Sequence, residues 1–451
     1  MPLQSLSTSP PDARHFARAV TELGEKRPVV ARSAIYNAQG LKIIDKGVAI
    51  DARLYDRLTR HQLKAPLDEC LDSEPAVSGA RLRDDARALA QQDRFCAAMV
   101  ADLKGGETLF EELALVPLPR QIAFQLTVLR ETQPELWQHA LRSALTAGWL
   151  AARSGLARYD QRLLAAGGLL HDLGMLHLDP VLLHPELRLT REQRRQLYTH
   201  PLVTVMLLER HHEYPKELLR AVLEHHEALD GSGYPRNVAG AELSPWGRVL
   251  ALTELVTAMT ADGREAPALR LSLALRMTAP RFDAALAREV MRLLAPLREP
   301  APAAAHGDAA GDLRSIEQLL AGWRTAAAAA SGLSSARRTA VERIAELCDG
   351  ELKALTASGA TAAQLAMLGD AATDADGAGE LALIAREAAW QLRAVTRQAR
   401  RRWQLAAGEA FPPPLQAWLD AAETLCARWL SRSEAATDAP TDTATDAPPM
   451  R

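Results

Sequence analysis

Residues 225–235 read His-His-Glu-Ala-Leu-Asp-Gly-Ser-Gly-Tyr-Pro. Two adjacent imidazoles and a carboxylate precede a turn-forming Asp-Gly-Ser-Gly and a Tyr-Pro, a pattern that neither a plain helix nor a plain strand requires. The same concentration of imidazole extends upstream: nine of the twelve histidines fall between positions 139 and 226. An HD pair stands at His171 and Asp172, and His200 precedes a helical stretch. If these segments lie on different helices of one bundle, their inward side chains can surround a pair of metal ions. Nitrogen and oxygen donors without thiolate suit Fe, Mn, Zn or Ni.

The text around this cluster is helical. Apolar residues make up 48% of the chain and aromatics only 4%, and charges recur at helical spacing through Ala- and Leu-rich stretches. The expected fold is mainly α, in six parts. Residues 1–26 are polar with Pro10 and Pro11 and read as a disordered leader. Residues 27–115 read as a small α+β module with connecting helices: two short strands joined by a turn at Asn37 to Gly40, then a short helix capped by Asp51 that carries Leu54 and Leu58. The helical bundle domain occupies 116–298. Residues 299–312, rich in Ala, Pro and Gly, read as a linker; 313–432 as a C-terminal helical region; and 433–451 as a disordered low-complexity tail.

Several function classes drop out. With 53 Lys+Arg against 56 Asp+Glu the net charge is −3, so no global excess draws nucleic acid or an anionic membrane. The basic run Arg397, Arg400, Arg401 and Arg402 reads as a solvated helix face. Cys70, Cys96, Cys348 and Cys426 stand far apart, which argues against a disulfide framework and for cytoplasmic thiols. The first residues lack an apolar signal core, and no apolar run reaches bilayer length. A cytoplasmic protein without membrane insertion is therefore expected. No Ser-His or Cys-His nucleophile arrangement stands out.

Taken together, HDLG at 171–174, LLHPELRLT at 182–190, THP at 199–201 and HHEALDGSGYP at 225–235 resemble the HD-GYP family of metal-dependent cyclic di-GMP phosphodiesterases, a branch of the HD phosphohydrolases. The resemblance covers roughly residues 130–290. It implies two or three divalent ions, Fe or Mn, held by His139, His171, Asp172, His200, His225, His226 and Glu254, with Glu135 as the ligand for a third ion. Glu135 and His139 are four residues apart and share a helix face. It further implies that Asp172 bridges the metals, that a metal-bound hydroxide is the nucleophile, and that cyclic di-GMP is cut to pGpG or GMP. Asp230, Gly231, Gly233, Tyr234 and Pro235 are implied in substrate binding, with the Tyr234 ring lining the pocket for the guanine-ribose part. Protein partners are expected at this loop and at the C-terminal helices, where a homodimer is one expected arrangement.

This chain departs from the family pattern at three positions. Met175 replaces a lysine that contacts a substrate phosphate, Glu254 replaces an aspartate, and Thr257 stands for a second aspartate in TAMTADGRE, where Arg264 is the nearest basic residue. Two alternatives therefore stand beside the hydrolase: a catalytically degenerate module that docks partners, and an HD phosphohydrolase for another nucleotide. His177, His184, His211 and His212 match no ligand position and read as loop or surface residues.

Overall fold

The computed structural model describes residues 13–183, 189–261, 266–299, 308–368, 375–407 and 410–436. His184, Arg264 and the segment 437–451 of the expected tail lie outside the described residues. The chain divides into two compact units, with the break after Ala261.

The first unit begins with a correction. The expected leader contains a helix, Ala13–Lys26, because Phe16, Val20 and Leu23 recur at i, i+4 and i+7 among polar neighbours and are all buried. The small module follows as expected in outline. Ile35–Tyr36 pairs antiparallel with Lys42–Ile44, and between them the Asn37 side chain accepts from the backbone N–H groups of Gln39 and Leu41. A second pair joins Val30–Ala31 to Leu71–Asp72. Asp51 caps the turn Ala52–Leu54 by accepting from the Arg53 N–H, and Leu58 is buried.

The rest of this unit is helical. The helices that build the bundle are α1 (Arg120–Thr132), α2 (Pro134–Arg153), α3 (Arg158–Leu170), α4 (His200–Leu208), α5 (Lys216–Glu224) and α6 (Pro245–Thr260). Helices α2 and α3 cross closely at Gly168, where a Cβ would stand 2.3 Å from the Ser143 carbonyl oxygen. Only glycine allows that approach, and it brings the end of α3 against the middle of α2.

His177 requires a second correction, since it is neither loop nor surface. It is buried, stacked on Phe16 at 4.7 Å, with Nε2 3.4 Å from the Gln125 side-chain oxygen. Gln125 in turn donates to Asp68, which also receives Arg210. The N-terminal helix therefore packs on the turn that carries the HD pair. Burial, with Arg210 nearby, lowers the His177 pKa to about 4. The unfolded chain, titrating near 6.5, takes up the proton first. The stability contributed by neutral His177 is thus complete above pH 6.5 and is lost as pH falls towards 4, by about 3 kcal/mol at most. Thermal midpoints should show wild type losing stability against His177→Phe across that window; parallel profiles would refute this.

The second unit has its own core. Leu269, Leu273 and Met277 of helix Pro267–Met277 cluster with Leu313, Ile316, Leu320 and Trp323. The unit thus starts earlier than the expected boundary at 298, and helix Ala309–Ala329 begins inside the expected linker. Trp323 and Trp418 meet edge to face at 4.8 Å, and each indole N–H donates to a backbone carbonyl. In the basic run, Arg400 makes a two-pronged ion pair with Glu423. Among the described residues no helix is long and apolar enough to cross a membrane.

Candidate metal centre

Five segments deliver the chemistry. His139 projects from the second turn of α2, and His171 and Asp172 follow directly on the end of α3. His200 opens α4, His225 and His226 follow the end of α5, and Glu254 sits within α6. Helices α3 and α5 thus turn their C-terminal ends, which carry partial negative charge, towards the same place.

Two donor sets result. Asp172, His200, His225 and His226 form one, and His139, His171 and Glu254 the other; within each, the potential ligand atoms lie within 4.8 Å of one another. Asp172 joins them. Its Oδ2 is 3.5 Å from His139 Nε2 and 3.4 Å from His171 Nε2, while its Oδ1 is 3.2 Å from His200 Nε2 and 3.7 Å from His225 Nε2. Glu254 Oε2 lies 3.3 Å from both His139 and His171, so the extra methylene relative to aspartate is accommodated.

The backbone fixes most of the rings. Nδ1 of His171, His200 and His225 donates to the carbonyls of Gly168, Leu197 and Val222 at 2.8, 2.8 and 2.6 Å. A carbonyl can only accept, so Nδ1 carries the proton and the inward Nε2 is left as a donor to a cation. Thr204, one turn after His200, adds a clamp that the sequence reading missed: its hydroxyl donates to the His171 carbonyl and accepts the Gly174 N–H.

These residues fit cations. Asp172 Oδ1 and Glu254 Oε2 are buried without a hydrogen-bond partner, an arrangement that costs free energy unless something positive sits between them and the rings. The Nε2 atoms of His139 and His171, His200 and His225, and His226 and His200 are 3.2, 3.1 and 3.0 Å apart. Two nitrogens each about 2.1 Å from one cation, at roughly a right angle, have that separation. Burial would raise the Asp172 carboxyl, but His171 and then His200 outweigh it and hold the group well below the usual carboxylate range. Burial opposes protonation of His171, yet Asp172 and Glu254 prevail and raise its pKa. Burial, then His200, lowers His226 to about 3. His139 likewise outweighs burial and holds Glu254 low, so the pocket keeps both carboxylates ionised and His226 neutral, while the two carboxylates draw onto His171 a positive charge that a bound cation would supply in place of the proton.

Other expected site residues lie elsewhere or do other work. Glu135 is exposed in the first turn of α2 and belongs to neither donor set; a carboxylate there meets the positive end of the helix. Tyr234, expected to line the substrate pocket, has both ring faces covered, by His226 at 4.5 Å and Tyr198 at 4.1 Å. Gly233 is used for packing: a Cβ would lie 2.3 Å from Glu227 Cα and 2.5 Å from the His226 carbonyl oxygen. Asp230 accepts from the Ser232 N–H and hydroxyl, Gly231 has φ +73°, and Pro235 is exposed. Met175 is buried with Leu178 and Leu182, and the Thr257 hydroxyl donates to the Thr253 carbonyl.

The flanking glutamates escaped the sequence reading. Glu227 accepts the backbone N–H groups of Arg236 and Val238. Glu224, fully buried, accepts from Arg220, Arg236 and both the N–H and hydroxyl of Ser244. The signal was present in the order Glu-His-His-Glu, in which the inner pair faces the centre and the outer pair holds the loop.

The chain is similar to known proteins over its central part. The family model described as HD domain matches residues 125–286. The 3'3'-cGAMP-specific phosphodiesterase 3 of Vibrio cholerae is 25% identical over 277 residues, 57% of this chain and 60% of that protein. The 3'3'-cGAMP-specific phosphodiesterase 1 of the same organism is 30% identical over 134 residues, 28% of each chain. The cyclic di-GMP phosphodiesterase response regulator RpfG of Xanthomonas campestris is 30% identical over 120 residues, 26% of this chain and 32% of that one. The chain thus spans at most 60% of the length of these relatives. Among solved structures, Bd1817, an HDG"Y"P protein from Bdellovibrio bacteriovorus, aligns over 59% of this chain and 95% of its own at 14% identity, with a TM-score of 0.33.

Proposed function

From the premise that this chain belongs to the HD-GYP family, we propose that it is a metal-dependent phosphodiesterase that hydrolyses cyclic di-GMP to pGpG or GMP. The observation that carries this reading is the division of Asp172 between two donor sets, one carboxylate oxygen facing each. Two Fe or Mn ions suit the donors. When bound, such a pair lowers the pKa of water and neutralises charge on the phosphodiester. His139, His171 and Glu254 would hold one ion and His200, His225 and His226 the other, with Asp172 facing both sets. Asp230, Gly231 and Pro235 supply the substrate-facing rim of the loop. The test is to purify the protein anaerobically, count its metals and follow loss of cyclic di-GMP beside 3'3'-cGAMP. Two ions with preferential loss of cyclic di-GMP supports the proposal; preferential loss of 3'3'-cGAMP moves the substrate assignment, and absence of metal removes the enzyme.

A second reading, a binding module that docks partners without turnover, is favoured by Met175. A lysine that contacts substrate phosphate is expected at this position, but the structure has a methionine packed among leucines. Met175→Lys should therefore leave turnover within about threefold and lower the thermal midpoint, because the amine would enter an apolar pocket. A tenfold rise would instead indicate that a phosphate lies within reach, since a hydrogen bond to a charged group contributes about 1.5–3 kcal/mol.

A further inference from the structure

Within its donor set, His200 and His225 are fixed by backbone carbonyls, and His226 stands apart from them. Its Nε2 belongs to the donor set with Asp172, His200 and His225, but its Nδ1 is buried without a hydrogen-bond partner. A ring without that bond can turn about its terminal torsion, which is broad for imidazole, and so misdirect its nitrogen. Here a stack constrains it. Tyr234 lies on His226 with centroids 4.5 Å apart and planes 23° from parallel. Tyr198 lies on the opposite face of Tyr234 at 4.1 Å and 19°. The Tyr234 N–H donates to the His226 carbonyl at 3.0 Å, so backbone and ring are held by the same residue. His200 meets His226 edge-on at 4.9 Å, which limits rotation from another side.

We propose that Tyr234, backed by Tyr198, is a positioning residue for His226, holding by ring stacking an imidazole that no carbonyl holds. The tyrosine of the Gly-Tyr-Pro sequence then acts on the metal centre and not on the base of a nucleotide, because neither of its faces is open to stack one. The ring is what matters and the hydroxyl is incidental. Outer partners of metal ligands typically govern affinity by 10- to 100-fold, and only the donor set that includes His226 should respond.

This inference rests on the metal-centre reading above, and its test separates the two. The full-length apo protein is titrated with Mn2+ under anaerobic conditions, with thermal unfolding followed in parallel. Wild type should show two binding events. Tyr234→Phe should match it within about twofold, Tyr234→Leu should weaken one event by about tenfold or more while leaving the other unchanged, and Tyr198→Leu should weaken the same event by about threefold. Should Tyr234→Leu not fold, Tyr198→Leu decides, and an unchanged titration there overturns the proposal. Two unaltered events in Tyr234→Leu with a raised KM for cyclic di-GMP would also overturn it, in favour of substrate contact, while the metal centre stands. Equal weakening of both events with a lowered midpoint would mean a general structural role and likewise overturn it. If wild type binds no Mn2+, the metal-centre reading fails and this proposal fails with it.

Discussion

Asp172→Ala is expected to empty both donor sets together and, on the function proposed above, to reduce cyclic di-GMP turnover by at least about a thousandfold, equivalent to about 4 kcal/mol of transition-state stabilisation. The size of the effect follows from position. Every other ligand serves one set, whereas the Asp172 oxygens face His139 and His171 on one side and His200 and His225 on the other. Its removal leaves a group of imidazoles with one carboxylate, Glu254, to offset two cations. Asp172→Asn sharpens the argument. The amide keeps one oxygen, but its nitrogen donates and cannot ligate, so at most one ion should remain and turnover should stay close to that of the alanine variant. Metal counting on the purified variants, together with the hydrolysis assay, checks both statements. Two ions retained by Asp172→Ala would remove the bridging role and the reading built on it.

Five members of the two donor sets were legible in the sequence because they stand at helix ends in short motifs, whereas His139 and Glu254, inside their helices, were indicated only by the family resemblance. His171 and Asp172 close one helix, His225 and His226 close another, and His200 opens a third. What the sequence concealed is of a different kind. Phe16 sits in polar text, and its burial depends on Phe124 and His177, more than a hundred residues away. His177 looked peripheral because its partners, Phe16 and Gln125, come from separate segments. The roles of Tyr234 and Gly233 were misjudged for a related reason: their residue types indicate a loop near a site, but only the packing shows that His226, Tyr198 and the 226–228 backbone occupy their surroundings. The boundary after Ala261 was hidden because helix Pro267–Met277 is amphipathic in the same manner as the helices before it, and nothing local states which core it joins.

Glu224→Ala should produce the largest loss of stability, because this carboxylate is fully buried and serves two arginines and a serine at once. Its Oε1 receives Arg220 Nε at 2.8 Å and Arg236 Nη2 at 2.5 Å, and its Oε2 receives the Ser244 N–H at 2.9 Å and hydroxyl at 2.5 Å. Removing one partner of a buried pair costs about 3–5 kcal/mol when the remaining charge is trapped. Here the arginine side chains are 50% and 41% exposed and can return to water, so the lower end, about 3 kcal/mol, is expected in urea unfolding. Glu227→Ala should cost less, since Glu227 holds only the backbone N–H groups of Arg236 and Val238. The functional consequence is more selective than the energetic one. His225 keeps its bond to the Val222 carbonyl within its own helical turn, but the loop from Asp230 to Ser244 loses its anchor, and with it goes the stack of Tyr234 on His226. Metal titration of folded Glu224→Ala should therefore show weakened binding at the set that contains His226, with the set formed by His139, His171 and Glu254 little changed. An unfolding free energy within about 1 kcal/mol of wild type would mean that the loop is held by its own turns and that the glutamates around the histidine pair do not anchor it.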